Sequence, residues 1–441
     1  MRTWKLWISF VSAMLALAVL VAACAPAAAP TPTPTKAAPP ATPTTAAPKA
    51  EATKPAEKPA EKAATTPTSA PAAKPTGKPI KIGFITPLTG RVAGYGARQK
   101  IAVQLALEDV NSRGGINGSP LEVVMVDDQA DPRQAVTLVR RLAIEDKVPF
   151  ILGPLTTGAF EVAAPLANEL KVPLATATSS KEGITDQNRP WIFRFAGLDR
   201  TYTTKGIEGY KKVYPNVKRM VITGDTKESV NENIVKNIYP KALKDAGFEV
   251  IDTVPFETGT TDFSAIITKI KGLNPDGIAY SSLTPEALGF AKELQKQGVK
   301  APVMASSQNY SGPEITLGKD VLEGWVAPGN FDEDTQDPVA RGVVERFVKA
   351  GAADPAVGQP AYVAFWGQAY DAVMATAEVM RKANIAPDTD LQKAREAIRD
   401  GLQNLRGFKG LARDISMQPN GDITLNTMAF VAKNGKWTLI K

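Results

Sequence analysis

The sequence predicts an α/β protein built as two doubly wound lobes, each with a parallel sheet covered by helices on both faces. Short apolar runs alternate with amphipathic stretches from residue 79 to the end of the chain, a pattern typical of parallel sheets. About 360 residues follow that point, which exceeds one comfortable core, so two lobes are expected. Ligands of such sheets lie beyond the carboxyl ends of the strands, and two facing lobes would share one cleft.

The first two β-α units show the alternation most clearly. A largely apolar run at residues 80–85 leads to a helix with apolar side chains every three or four positions, which ends at Gly114 and Gly115. A second run at residues 121–126 is followed by Asp131, the predicted N-cap of the next helix. Further strands are expected at residues 150–152, 172–175, 220–223, 250–254, 277–280, 302–305 and 436–440.

The N-terminus has the features of an export signal. Arg2 and Lys5 precede an apolar run at residues 6–21, and small residues then lead into Cys24, the single cysteine of the chain. This arrangement resembles the bacterial lipoprotein signal, which implies cleavage after residue 23 and a diacylglycerol on the Cys24 sulfur. A membrane-spanning anchor is the alternative, since residues 6–23 approach the minimum length for crossing a bilayer.

Residues 24–78 predict a disordered tether between the lipidated cysteine and the folded part. After Cys24 the segment is almost entirely Ala, Pro, Thr, Lys and Glu, so it lacks the apolar surface needed to offset the entropy of ordering. A flexible coil of this length would span roughly 40 Å. The folded part could therefore lie well clear of the membrane surface.

Charge and composition exclude several classes of function. The net charge is +7, but the first 78 residues hold nine Lys/Arg and three Asp/Glu, which leaves 43 basic and 42 acidic groups in the remainder. A balanced folded region does not indicate nucleic-acid binding. The chain has no histidine, which removes the commonest general base and the commonest neutral metal ligand.

Two loops at expected strand ends are rich in small hydroxyl residues. Residues 153–158 run from a strand into a helix, and four of the five residues at 176–180 are Thr or Ser. Free backbone N–H groups at such a helix start can bind an anion. Ordinary helix capping by Thr157 or Ser180 accounts for the same residues equally well.

Seven segments of the chain resemble the leucine/isoleucine/valine-binding group of type I periplasmic binding proteins. They follow one another in the family's order from residue 79 towards the C-terminus: residues 82–90, 93–96, 108–118, 127–128, 131–132, 153–155 and 370–372. The resemblance implies a type I periplasmic-binding fold, with three hinge crossings between two lobes that close on a ligand. It implies a monomer with lobe 1 at residues 79–197 plus about 328–406, and lobe 2 at residues 198–327 plus about 407–441.

The resemblance also implies the function. The chain would be an extracytoplasmic solute-binding lipoprotein that captures a small polar or carboxylate-bearing molecule and delivers it to the permease of an ABC importer. No catalysis, cofactor or metal is implied. A ligand-sensing domain that feeds a signalling partner is the alternative, because that class shares the fold.

The resemblance assigns seven candidate ligand contacts to the first lobe: Tyr95, Leu155, Thr156, Thr157, Thr178, Ser179 and Ser180. Tyr95 would lie at the rim of the cleft. Thr157 and Ser180 match positions that hold a ligand carboxylate, and the carbonyl of Thr178 matches one that accepts from a ligand ammonium. A carboxylate-bearing ligand is therefore expected.

The second lobe departs from the family pattern. Ser229 stands where an aromatic residue packs on the ligand, Leu283 lies near the place of a tyrosine, and Ser307 lies near the place of the acid that neutralises the ammonium. An ammonium buried without a carboxylate partner is costly. We therefore expect a free carboxylic acid to bind more tightly than the matching amino acid, unless Glu228, Asp225 or another acid reaches the site. Aromatic acids, aliphatic acids, amides and urea all remain open.

Other conspicuous residues have simpler interpretations. The glycines of residues 94–96 lack the third glycine of a dinucleotide fingerprint, which disfavours a dehydrogenase. Asp127, Asp128 and Asp131 lack the spacing of a calcium loop and suggest a solvated strand end with a helix cap. Arg194 is expected in a structural ion pair. Four tryptophans are expected in core or hinge packing: Trp191, Trp325, Trp366 and Trp437.

Overall fold

The computed structural model describes residues 74–311, 314–354, 357, 366–411 and 413–441. The expected signal peptide, Cys24 and nearly all of the expected tether lie outside these residues. Among the described residues, no helix combines the length and the apolar character that a membrane span requires.

The first sheet has five parallel strands in the order β2-β1-β3-β4-β5. Only Lys81 of the first strand is exposed, because helices cover both faces of the sheet and each face must therefore be apolar. The strands are β1 Ile80–Thr86, β2 Leu121–Asp127, β3 Ile151–Leu152, β4 Leu174–Thr176 and β5 Ile192–Arg194.

Two groups of helices sandwich this sheet. One face packs against α2 Pro132–Ile144 and α3 Thr157–Glu169, with the short α4 Ile184–Gln187 beside them. The other face packs against α1 Ala93–Ser112 and three helices from the C-terminal third of the chain, α12 Pro338–Ala352, α13 Gly367–Lys382 and α14 Leu391–Gln403. The chain therefore returns to the first lobe after building most of the second.

The second sheet has seven strands in the order β14-β13-β10-β9-β8-β6-β7. Five run parallel: β6 Arg219–Asp225, β7 Glu249–Phe256, β8 Gly277–Ser281, β9 Val303–Ala305 and β10 Val326–Gly329. The edge is an antiparallel pair of strands, β13 Met428–Lys433 and β14 Lys436–Leu439.

Helices also cover both faces of the second sheet. One face packs against α5 Asp199–Val213, α6 Ser229–Asn233, a π-helical turn at Ile234–Ile238 and α7 Tyr239–Asp245. The other packs against α8 Ser264–Leu273 and α9 Thr284–Lys296, together with the shorter α10 Ser307–Ser311, α11 Glu314–Leu317 and a 3₁₀ turn at Lys319–Leu322.

The predicted α/β fold with parallel sheets is confirmed, and every strand expected from the sequence is present within a few residues. The sequence did not predict β5, β10 or β13, nor the two short strands at Phe408–Gly410 and Arg413–Ile415. β10 contains Pro328 and Gly329, residues that argue against a strand in a sequence. The C-terminal strand at residues 436–439 is antiparallel, because it returns from β13 through a tight hairpin.

The chain passes between the sheets after β5, after β10 and before β13. Arg194, at the end of β5, and Asp422, just before the last passage, form a buried ion pair with 3.0 Å between Nε and Oδ1. The expected structural ion pair of Arg194 is present, and it joins the first passage to the third.

The lobe limits expected from the sequence differ from the packing at one place. A hairpin of β11 Phe408–Gly410 and β12 Arg413–Ile415 packs on α13, beside the first sheet, although residues from about 407 were assigned to lobe 2. Its Leu411 and Ile415 are buried in the core of the first lobe. Nothing local in the sequence shows which core such side chains join. The limits elsewhere remain a proposal.

The helix cap expected at Asp131 is present, since its Oδ1 accepts from the backbone N–H groups of Arg133 and Gln134 at 2.7 and 3.1 Å. The expectation of a solvated strand end before it is wrong for Asp128, which is fully buried. Burial raises the pKa of Asp128 to about 6.

All four tryptophans pack in or against a hydrophobic core, as expected. Trp191 and Trp325 lie in hydrophobic cores, and Trp437 packs against the core of the second lobe. Trp366 is buried at the start of α13, where it also forms part of the pocket described next.

Candidate functional site

A pocket of about 400 Å³, open mouth included, lies where the carboxyl ends of both sheets face each other. Both lobes contribute to it, as the doubly wound architecture requires. Its walls are formed by Val92, Tyr95, Leu155, Thr156, Thr157, Thr178, Glu228, Val230, Leu283, Gln308 and Trp366.

The loop after β3 brings three consecutive residues to the pocket, Leu155, Thr156 and Thr157. It can do so because Gly153 has φ +101°, and a Cβ at this residue would lie 2.0 Å from the carbonyl oxygen of Ile85. Only glycine tolerates both the backbone angle and the close approach. The tight turn therefore directs the loop into the cleft.

The N-terminus of α3 faces the pocket and lacks a side-chain cap. Thr156 is the N-cap residue, yet no side chain hydrogen-bonds the first-turn N–H groups. In the described part of the chain, the buried Thr157 hydroxyl also has no partner. Together with the positive end of the helix dipole, these donors form a site for a carboxylate.

The second hydroxyl-rich loop is held by its own hydrogen bonds. Thr176 Oγ1 accepts from the N–H groups of Thr178 and Ser179 at 3.2 and 3.0 Å. The Thr178 hydroxyl donates to the carbonyl oxygen of Leu155 at 2.5 Å. Thr178 therefore reaches the pocket as part of a rigid turn tied to the neighbouring loop.

Glu228 is the acid of the pocket. Its Oε2 N-caps α6, accepting from the backbone N–H groups of Val230 and Asn231 at 2.9 and 3.2 Å and from Asn231 Nδ2 at 3.2 Å. Among the described residues, no group donates to Oε1. Burial raises the pKa of Glu228 to about 7. One carboxylate oxygen therefore remains available to a donor in the pocket.

Gln308 contributes an amide from the start of α10. Its Nε2 donates to Ser180 Oγ, across the cleft, at 3.3 Å and to Ser307 Oγ at 3.2 Å. Both serines are buried behind it. The two hydroxyls therefore orient the amide at the pocket wall.

The remaining walls are apolar. Tyr95 and Trp366 meet edge to face with ring centroids 5.8 Å apart, and Val92, Leu155, Val230 and Leu283 surround them. The Tyr95 hydroxyl forms a hydrogen bond across the cleft with Thr284 Oγ1, at 2.7 Å. This part of the pocket suits an apolar group rather than a second charge.

Six of the ten candidate contacts line the pocket, and four do not. Tyr95, Leu155, Thr156, Thr157, Thr178 and Leu283 form its walls; Ser179, Ser180, Ser229 and Ser307 lie behind them or at the rim. Two second-lobe candidates are direct neighbours of wall residues in the sequence. Ser229 lies between Glu228 and Val230, and Ser307 precedes Gln308. Four wall residues were not expected in the site: Val92, Val230, Gln308 and Trp366.

The family model described as Periplasmic binding protein matches residues 79–436. The chain belongs to this family. It is 30% identical over 323 residues to the leucine-, isoleucine-, valine-, threonine- and alanine-binding protein of Pseudomonas aeruginosa, covering 73% of this chain and 82% of that protein. It is 26% identical to the leucine-specific-binding protein of Salmonella typhimurium, covering 70% and 80% of the two chains.

Solved periplasmic binding proteins share the fold. A leucine binding protein from Thermotoga maritima has a TM-score of 0.70 at 24% identity, covering 82% of this chain and 97% of the other. A solute binding protein from R. palustris in complex with 4-hydroxybenzoate has a TM-score of 0.71 at 21% identity, covering 82% and 96%. The predicted family and type I periplasmic-binding fold are therefore confirmed, and this periplasmic binding protein is not an enzyme. The family is extracytoplasmic.

Proposed function

We propose that this chain is the solute-binding lipoprotein of an ABC importer, and that its solute is a small α-amino acid with an apolar side chain. The observation that carries the proposal is the charge arrangement of the pocket. Helix N–H groups and the Thr157 hydroxyl lie on the first lobe, and the unpaired Oε1 of Glu228 lies on the second.

Glu228 supports an amino acid among the ligand classes that the sequence left open. Without an acid in the pocket, a simple carboxylic acid would be preferred, since an ammonium would lose its hydration without compensation. Glu228 supplies that acid, although from another loop than the one near Ser307. The other candidate acid, Asp225, already has hydrogen-bond partners within its own lobe. Its carboxylate accepts from Thr258 Oγ1 at 2.6 Å and from the N–H of Lys227 at 2.8 Å.

The walls of the pocket support a small apolar side chain. Four aliphatic residues and the rings of Tyr95 and Trp366 form the rest of the lining. Burying one aliphatic side chain there would contribute about 1.5–3 kcal/mol. The named amino-acid specificities of the Pseudomonas and Salmonella relatives agree with this proposal.

Removing the Thr157 hydroxyl is expected to weaken solute binding about tenfold. A hydrogen bond to a charged group is worth roughly 1.5–3 kcal/mol, and Thr157→Val keeps the shape of the side chain while deleting the donor. Titration calorimetry of the variant against leucine, valine, their keto acids, 4-hydroxybenzoate and an amide checks this. Thr137→Val, on the exposed face of α2, is the matched control. Equal affinity of Thr157→Val and the parent protein for every bound acid would contradict the carboxylate site.

The lipid anchor proposed at Cys24 has its own test. Cys24→Ser is expected to abolish fatty-acid labelling and membrane retention, because the chain has no second cysteine that could carry the lipid. Solute affinity and the unfolding temperature should be unchanged, since the predicted tether separates Cys24 from the lobes. Labelling with radioactive palmitate in the host cell provides the measurement, and label that persists in the variant would refute lipidation at this residue.

A further inference from the structure

Two segments that line the pocket also meet each other across the cleft. The first, in lobe 1, runs from Arg91 to Tyr95, and the second, in lobe 2, runs from Leu283 to Glu286. The Tyr95 hydroxyl lies 2.7 Å from Thr284 Oγ1 and accepts from the Thr284 N–H at 3.1 Å. These bonds exist only while the lobes are together.

Arg91 and Glu286 add an ion pair to the same contact. Arg91 Nη1 lies 3.1 Å from Oε1 and 3.2 Å from Oε2 of Glu286. The Glu286 side chain is only 1% exposed, whereas that of Arg91 is 36% exposed. Glu286 is also fixed in its own lobe, because it lies in the first turn of α9 and its Oε1 accepts from the N–H of Gly259 at 2.8 Å.

We propose that Arg91 and Glu286 form a latch that holds the cleft closed and thereby sets the affinity for the solute. Neither residue belongs to the pocket wall, so their contribution to closure is separate from solute contacts. The charge of Arg91 also lowers the pKa of the pocket acid Glu228, and for this reason closure is measured directly as well as through affinity. The link to the pocket is short, because Val92 follows Arg91 in the chain and Leu283 lies three residues before Glu286. The effect on affinity rests on the proposed solute-binding function, but the effect on closure does not.

The physical basis is a difference between the open and closed states. In the closed state Glu286 is removed from water and Arg91 is its cationic partner. When the lobes separate, the pair is lost and the carboxylate gains hydration, so the net stabilisation is moderate. If closed protein is the form that retains solute, the apparent dissociation constant increases as the closed fraction falls.

The closure equilibrium can be measured without any solute. In the full chain carrying Cys24→Ser, spin labels on cysteines introduced at Gln129 and Lys227 would report the distance between exposed positions at the carboxyl ends of the two sheets. Arg91→Met and Glu286→Gln should each shift the distance distribution of the solute-free protein to longer values. Arg141→Met, which removes an ion pair within α2 and the residues after it, should leave the distribution unchanged.

Affinity gives a second readout. Each latch variant should bind the solute found by calorimetry roughly three- to tenfold more weakly, and the double variant should be no weaker than Arg91→Met alone, because the two residues act as one pair. Unchanged distances in Arg91→Met, or additive losses in the double variant, would overturn the latch. If calorimetry detects no binding to any compound of the panel, the proposed solute class is wrong. The distances between the spin labels still test whether the ion pair holds the cleft closed.

Discussion

Glu228→Gln should weaken the binding of an amino acid by roughly 10- to 150-fold, because it removes the charge that compensates the ligand ammonium. The amide keeps an oxygen that can cap α6, so the fold should be preserved. The effect should vanish for the keto acid of the same side chain, which has no ammonium. Calorimetry on the amino acid and its keto acid, side by side, measures this difference.

The pH dependence gives the same assignment an independent test. Burial raises the pKa of Glu228 to about 7, above the value of roughly 4.3 for an exposed glutamate. Below pH 7 an ammonium must therefore displace a proton from Glu228, so amino-acid affinity should rise with pH, by roughly fiftyfold from pH 5 to pH 7, and level off above. Binding of a simple carboxylate should change in the opposite direction, since the protonated acid does not repel it.

Glu232→Gln is the matched control for this substitution. Glu232 lies on the same short helix and pairs with Lys236 at 2.7 Å, outside the pocket wall. Its loss should change neither affinity nor the pH profile. The ammonium site would be refuted if Glu228→Gln and the control bound the amino acid with equal affinity and if their affinities changed equally with pH.

Breaking the ion pair between the first and third passages should cost the most stability of any change considered. Asp422→Ala leaves the Arg194 guanidinium, which is fully buried, without its carboxylate. Removing one partner of a buried pair typically costs about 3–5 kcal/mol. The Asp422 carboxylate also accepts from Thr185 Oγ1 at 2.9 Å and from Asn420 Nδ2 at 2.8 Å, so further donors lose their acceptor.

Urea unfolding followed by circular dichroism measures this loss. Asp245→Ala is the control. The side chains of Asp245 and Lys241 are 60% and 74% exposed, so their ion pair should contribute less than about 1 kcal/mol to the free energy of unfolding. Replacing both buried partners, as in Arg194→Met with Asp422→Leu, should recover part of the stability, since neither partner is left unpaired. The recovery should be incomplete, because the buried Asp199 loses the nearby charge of Arg194. A midpoint for Asp422→Ala equal to that of the control would contradict a structural role for the pair.

The sequence determined the features that depend on local patterns. Short, largely apolar runs such as residues 80–85 are typical of strands with both faces covered. Asp131 followed by Pro132 has the chemistry of a helix start wherever it occurs. The alternation of such units predicted both sheets, and the carboxyl-end rule placed the cleft correctly between them. The hydroxyl-rich loops at residues 153–158 and 176–180 are both at the pocket.

Tertiary structure alone decided which side chains reach the solute. Glu228 lines the pocket while Ser229 hydrogen-bonds Glu161 at the rim, and Gln308 lines it while Ser307 stands behind. A helix start rotates successive side chains by about 100°, so an error of one residue exchanges a wall position for a buried one. Trp366 and the latch partner Glu286 have no local signal at all, because their roles depend on contacts with residues far away in the chain.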